Sequence, residues 1–508
     1  MLGLLGACLV AVLLHTYHVW AAVAIAPDGG LFIEYARTLG EDPLAAVRSY
    51  DQHPLFPALI WLAHEPIRRF ISEEPNAWIC AGQTVALLGT LGAILGLYGF
   101  TSQIYGRHRG LIAAWILTLL PDASRFGADV LTDLPHLALY LLGLTAVLIG
   151  LRSGRARWLS AAAALSALAF LARPEGGAVF LVGIAGVLVR KGFSIKKRAA
   201  LAVGMLALFF CITAPYQLAT GKLVPKKSPL ELFHFAQSDT PDVGGIIPAA
   251  DGREPGKQLR TATTLPIPID VARQWVRAGR VVYILLALLG LWVARPHGRR
   301  ALVLGLAAGV HILLMHALEY RYGYLDRRHA LLLATLSLPL AAAGSWWLSC
   351  WVAGRLKIAS VSGANRVLVC IFGVCVVLTA YWLFRPINQG DDHVVAGGRW
   401  LAANTPRGTP IVADSRLRRV ALYANRPFIE WRWWGGNPRF LEECLKEHSG
   451  GYFVADTLQI TSSEKHGNPR FFEELDKRFS DRLQMVDREQ PRPPAPKTEL
   501  RIYRYLPK

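Results

Sequence analysis

Asp28 stands in "APDGGLFIEYARTL", where a long apolar run ends and a helical pattern begins. A carboxylate at such a junction can act as general base toward a hydroxyl or amine arriving from the water. It can equally cap the helix that holds Glu34 and Tyr35, and both readings stay open. The neighbouring glycines allow backbone to approach a ligand closely. "YDQHPLFPALI" adds Asp51 and His53 ahead of a proline-bounded helix. They can shape a site, hold a metal ion or make a turn; two candidate ligands fall short of a metal set. "LPDASRFGADVLTDLPHLALY" contributes Asp122, Asp129 and Asp133. If this stretch is helical, Asp129 and Asp133 share a face, and two like charges that close call for a cation or a shifted pKa. Asp133 opens an apolar segment, where a lone carboxylate is costly, unless "TDLP" uses it as a cap. In "ARPEGG", Arg173 and Glu175 sit at a tight turn, either as a local pair or as part of a site.

The cations form a second set. "EYRYGYLDRRHALLLATLSLPL" sets Arg321, Arg327, Arg328 and His329 directly against an apolar run, and "GKLVPKK" adds Lys222, Lys226 and Lys227. Carboxylates beside clustered cations suit group transfer from a lipid phosphate. The cations stabilise phosphate charge as its bond to a sugar breaks, and the carboxylate takes the acceptor's proton.

The elements that must hold these residues are membrane helices. Of 508 residues, 53% are hydrophobic, and the apolar runs far exceed what one soluble core needs. Each crossing takes roughly 20 mostly apolar residues. Candidate spans lie near 2–26, 77–100, 110–121, 133–151, 158–172, 176–190, 199–219, 280–295, 301–318, 330–350 and 366–384, about eleven in all. The fold class is a polytopic α-helical membrane protein. A net charge of +19 suits a chain between anionic lipid surfaces. The charges are spread over short loops, so no nucleic-acid partner is expected. The 7 cysteines show no ligand spacing and read as small buried groups.

Basic loops fix the orientation. "GRHRG", "LRSGRAR", "RKGFSIKKR", "RPHGRR" and "GRLKIASVSGANR" all become cytoplasmic if the N-terminus is inside. "EYRYGYLDRR" and "GKLVPKK" then fall outside, against the bias, where cations call for an anionic partner. Asp28, Asp51, Asp129, Asp133 and Arg173 map to the same outer surface. Residues 1–384 are read as the membrane domain. Its first outer loop, 27–76, holds interfacial helices, and a long outer loop spans 220–278. Residues 385–508 alternate strand ("TPIVAD", "GGYFVAD", "DRLQMVDR", "ELRIYRYL") with helix ("SRLRRVALYAN", "NPRFLEECLKEH", "NPRFFEELDKRF"), which predicts a small extracytoplasmic α/β domain.

The order of these motifs resembles a known family. An Asp after the first span, then "HPLFPALI", "YGRHRGLIAAWILTLLPDASRFGADVLTDLPHLALYLLGL", "LAFLARPEGG" and "YRYGYLDRRHALLLA" are similar to the GT-C glycosyltransferases. The branch is the bacterial one related to dolichyl-phosphate-mannose protein O-mannosyltransferases and aminoarabinose transferases. "RWLAANTPRGTPIVADSRLRRVALYANRPFI" resembles the outer domain common in that group. The resemblance covers most of the chain except 220–278. It implies inverting transfer of a hexosyl or pentosyl group from a polyprenyl-phosphate sugar to an envelope lipid, glycan or protein acceptor, at the inner membrane. By the same resemblance Asp28 matches the first-loop catalytic aspartate, Asp133 or Asp129 the second-loop acidic position, and Arg321 with Tyr322 the late "RY" motif near the donor phosphate. Asp51, His53, Arg173, Lys226, Arg327 and Arg328 complete the expected substrate-binding set. Many relatives carry two adjacent acids in the first loop, whereas here Gly29 follows Asp28. No cofactor or metal is predicted, because some relatives bind a divalent metal and others do not. A lipid-linked glycan transporter or polymerase using the same cations is the alternative. A binding module on a passive anchor would not need so many spans.

Overall fold

The computed structural model describes residues 2–221, 266–322, 325–358, 360–431, 441, 451–457, 471–490 and 499–506. Among the described residues, seven helices are long and apolar enough to cross a membrane: Leu2–Ala21, Asn76–Tyr105, Asp133–Ser153, Ile195–Thr220, Arg299–Tyr322, Arg327–Arg355 and Val361–Leu383. An eighth crossing is available if Ile267–Gly279 and Val281–Val293 count together; they bend by 105° at Arg280, whose φ is 58°. Ala156–Ala172 and Pro174–Leu188 are shorter apolar helices. The expected span at 110–121 is the 12-residue helix Arg107–Thr118, which at about 1.5 Å per residue falls well short of the hydrocarbon thickness.

Two arrangements position the site. Helix Asn76–Tyr105 lies along Asp133–Ser153, and Gly89 is where they touch most closely: a Cβ there would collide with the Pro135 backbone. Small residues let helices approach this closely in a membrane, and here the contact fixes the turn that presents Asp133. Two of the basic loops meet at the end of helix Asp133–Ser153 away from Asp133. Arg190 donates to Gly150 O and Arg152 O, each at 3.4 Å, and Lys197 lies over the Phe193 ring.

Residues 27–76 contain helices Pro27–Glu41, Pro43–Ser49 and Leu55–Ile67. The chain after Val361–Leu383 forms a five-stranded sheet in the order β2-β1-β3-β5-β4. β1 (Ile411–Ala413) pairs in parallel with β2 (Phe428–Glu430) and β3 (Tyr452–Asp456), with Ile411 opposite Phe428 and Tyr452. β5 (Leu500–Tyr505) runs antiparallel between β3 and β4 (Leu483–Glu489). The four expected strands all form; β2 was not foreseen. "NPRFFEELDKRF" contributes helix Phe471–Phe479, while "NPRFLEECLKEH" lies outside the described residues except for Leu441. One sheet face packs Phe453, Phe471 and Trp431. The other packs Val394, Leu401 and Val420 from helices Asp392–Asn404 and Arg418–Ala424. Helix Arg418–Ala424 in turn packs against the Asp28 helix, so the sheet sits at the Asp28 end of the bundle.

Candidate active site

Helix Pro27–Glu41 begins on Pro27, with Ala26 at the N-cap and no side-chain cap. Proline suits that first position because its missing N–H would be unpaired anyway. Asp28 is therefore inside the first turn and is not the cap. Its side chain is 51% exposed, and Arg328 Nη1 donates to its Oδ2 at 2.6 Å. Arg328 stands in the first turn of Arg327–Arg355, a helix started by Asp326 and His329 in a reciprocal capping box. Through Nε (3.2 Å) and Nη2 (3.0 Å) the same guanidinium donates to Asp133 Oδ2. Arg173 Nη1 donates to the other Asp133 oxygen at 2.5 Å and Arg173 Nη2 to Glu175 Oε1 at 3.2 Å. The result is a ladder of alternating charge, Asp28–Arg328–Asp133–Arg173–Glu175. Its middle is dry, with Asp133 only 2% exposed, and its Asp28 end is open. Asp133 does not cap its helix; the N-cap is Thr132 and makes no side-chain bond.

Arg173 and Glu175, with Asp51, His53, His311 and His329, line a cavity of about 390 Å³. Its apolar side is Leu314, Met315 and Leu318, together with Phe32, one turn beyond Asp28. His53 packs edge-on against Phe170, ring centres 5.2 Å apart. A lining that mixes polar groups with apolar side chains fits an amphipathic ligand.

Asp129 does not share a helical face with Asp133. One helix ends at Phe126 and the next starts at Asp133, so Asp129 lies in the turn between them. Fully enclosed, its Oδ1 accepts from Ala26 N (2.9 Å) and Val130 N (2.8 Å), and its Oδ2 from Asn388 Nδ2 (3.0 Å). The preceding helix has already ended at Phe126, and within the turn Asp129 occupies the Val130 N–H. Burial pushes the Asp129 carboxyl up from the ordinary range, against the pull of the Ala26, Asn388 and Val130 donors. Gly29 packs on the same turn. A Cβ there would stand 3.0 Å from Val130 Cβ and 3.2 Å from Val130 O. The close approach that glycine permits is thus to Val130, and a second acid beside Asp28 would not fit without moving that turn.

Arg327 turns away from the ladder. It reaches Asp122 Oδ1 at 3.4 Å, beside Arg280 at 2.9 Å. Lys226 lies outside the described residues, as do the side chains of Arg321 and Tyr322, which end helix Arg299–Tyr322. Among the described residues no three His, Cys, Asp or Glu side chains converge as metal ligands.

Sequence reasoning missed the contacts from the sheet side. Arg419 Nη1 donates to Ile25 O (2.8 Å) and Asp391 (2.7 Å). Arg418 bridges Glu34 (3.2 Å) and Glu430 (2.9 Å). Burial pushes the Glu34 carboxyl up, against Arg418 and Tyr50, and pushes the Tyr50 hydroxyl, which donates to Glu34, to about 12. The signal for these contacts was the adjacent arginine pair on the apolar helix "SRLRRVALYAN". Buried arginines must find partners, and these find them on the Asp28 loop and helix.

A family model described as dolichyl-phosphate-mannose-protein mannosyltransferase matches residues 51–216. Solved structures match over nearly the whole chain. ArnT from Cupriavidus metallidurans, bound to undecaprenyl phosphate, aligns with a TM-score of 0.63 at 13% identity, over 99% of each chain. The oligosaccharyltransferase AglB from Archaeoglobus fulgidus, in complex with an inhibitory peptide and a dolichol-phosphate, gives 0.58 at 13% identity, over 91% of this chain and 69% of that one. The mycobacterial arabinofuranosyltransferase AftD gives 0.54 at 16% identity, over 99% of this chain and 41% of that one. No curated protein matches by sequence. The fold is therefore GT-C-like, as in these solved structures, and residues 51–216 also match the mannosyltransferase family model.

Proposed function

We propose that the chain is a membrane glycosyltransferase, moving a sugar from a polyprenyl-phosphate donor to an envelope acceptor at the extracytoplasmic face. One observation carries this reading: a charge ladder, dry in its middle, lines a cavity of mixed polar and apolar side chains with Arg173 and Glu175 and ends at a half-exposed carboxylate, Asp28. Asp28 takes the proton of the acceptor nucleophile as that atom attacks the anomeric carbon. The bond from that carbon to the phosphate oxygen breaks with inversion, and its electron pair stays on the leaving phosphate. Arg328 and Arg173 are the cations nearest that developing charge. Asp133 holds both guanidinium groups in place. Ligands seen in two GT-C relatives, undecaprenyl phosphate and dolichol-phosphate, support a lipid-phosphate donor. The meeting of two basic loops at the far end of helix Asp133–Ser153 supports an extracytoplasmic site.

The bent pair at Arg280 favours the transporter reading, since broken helices mark many transporter sites. One assay separates the two. Proteoliposomes holding the protein are loaded with undecaprenyl phosphate carrying labelled mannose, glucose or aminoarabinose, and cell-envelope extract is added. Transferase activity moves label from the lipid to an acceptor fraction and leaves undecaprenyl phosphate. Label that crosses the bilayer still attached to its lipid supports transport instead.

A further inference from the structure

Three residues precede the Asp28 helix: Ala24, Ile25 and Ala26. All are buried, and none is helical. Buried backbone outside regular structure must find its hydrogen bonds elsewhere, and here the partners come from far along the chain. Asn388 Nδ2 donates to Ala24 O at 2.7 Å. Ile25 N donates to the Tyr423 hydroxyl at 2.9 Å, and Arg419 donates to Ile25 O at 2.8 Å. Ala26 N donates to Asp129 at 2.9 Å. Three of the four partners lie beyond residue 384.

The clamp is itself held. Arg419 is fixed by Asp391. Asn388 adopts a left-handed φ of 50°, a conformation asparagine tolerates better than most residues, and divides its amide protons between Ala24 O and Asp129. Helix Arg418–Ala424 lies on the first turn of the Asp28 helix, close enough that a Cβ on Gly30 would stand 3.4 Å from Arg419 Cγ. Asp28 is the second residue of that turn.

We infer that the C-terminal sheet region positions Asp28: Arg419, Tyr423 and Asn388, with Asp129 from the bundle side, fix residues 24–26 so that the carboxylate meets Arg328. These four are positioning residues and touch no substrate. The inference rests on the reading of Asp28 as the base. It gives the sheet region a part in the chemistry that a passive appendage would lack. Misplacement of a reacting group by about 1 Å can cost on the order of 100-fold in rate.

The test uses the full-length chain in detergent or proteoliposomes. Tyr423→Phe removes one hydroxyl and keeps the ring. Hydrogen–deuterium exchange is read on peptides spanning residues 21–41, and thermal unfolding on the whole chain. Sugar transfer is measured with the undecaprenyl-phosphate sugar panel, with Arg419→Lys as the conservative comparison and Asp28→Asn as control. Exchange is expected to rise within residues 22–30, with the unfolding midpoint unchanged. On a panel member that supports transfer, kcat is expected to fall about tenfold with donor KM unchanged, and Arg419→Lys to fall less than Arg419→Ala. Unchanged exchange in that segment overturns the inference, whether or not transfer is seen. So does an unchanged kcat, or a loss confined to KM. If Asp28→Asn transfers as well as wild type, the reading of Asp28 is what fails, and the exchange result still reports on the clamp.

Discussion

Asp133 faces two guanidinium groups, from Arg173 and Arg328. Asp129, in the turn just before it, is held by the N–H groups of Ala26, Val130 and Asn388. Both carboxylates are buried, and in sequence both look like candidates for the second acidic position. Their surroundings separate them. Asp133 joins two cations, one of which, Arg173, lines the cavity, so its charge belongs to the ladder that ends at Asp28. Asp129 pins backbone to backbone across the junction of the first loop, the second turn and the chain at Asn388. A buried acid near a site is thus a charge partner or a peg according to whether cations or amides meet it.

Six substitutions break or sharpen this contrast. Asp133→Ala should have the largest effect. It leaves Arg173 and Arg328 without their shared anion, and removing one partner of a buried pair typically costs about 3–5 kcal/mol. Thermal unfolding in detergent should show a large loss, with transfer abolished. Asp129→Ala should cost less, about 2 kcal/mol for donors left without an acceptor, and should lower kcat about tenfold while donor binding is kept. Asp129→Asn sharpens the point. Its remaining oxygen can still accept from Ala26 and Val130, while its new amide opposes that of Asn388, so a loss of about 1 kcal/mol is expected. Asp133→Asn compared with it should be the more damaging of the two, and equal losses would erase the distinction. Gly29→Ala should have the smallest effect, about 1 kcal/mol, from crowding Val130; Gly29→Asp should be worse, although it restores the paired acids of many relatives.

Much of this was legible in sequence because it lay in local chemistry. The apolar runs gave the helices, and the alternation after residue 385 gave four of the five strands. Asp28, Asp133, Arg173 and Arg328 were placed on one side by loop charge, and the structure brings these four into a single ladder. Asp51 and His53 join Arg173 around the cavity. What was not legible depended on long-range geometry. Arg327 and Arg328 are adjacent, yet consecutive positions on a helix point about 100° apart, and Arg327 turns to Asp122 instead. Asp129 lies outside the helical pattern, in the turn between Phe126 and Asp133, where its side chain accepts from the Val130 N–H. Arg280 carried no local mark of the bend it makes. Asn388, Arg419 and Tyr423 meet residues 24–26 across hundreds of positions, and no spacing rule reaches that far.

The most direct test of the account is the rate of sugar transfer from undecaprenyl-phosphate sugars under single-turnover conditions, wild type against Asp28→Asn, with donor binding measured in parallel. The account predicts donor binding within a fewfold of wild type and transfer slowed at least ~100-fold, the low end for loss of a general base. Transfer at the wild-type rate in Asp28→Asn would contradict it.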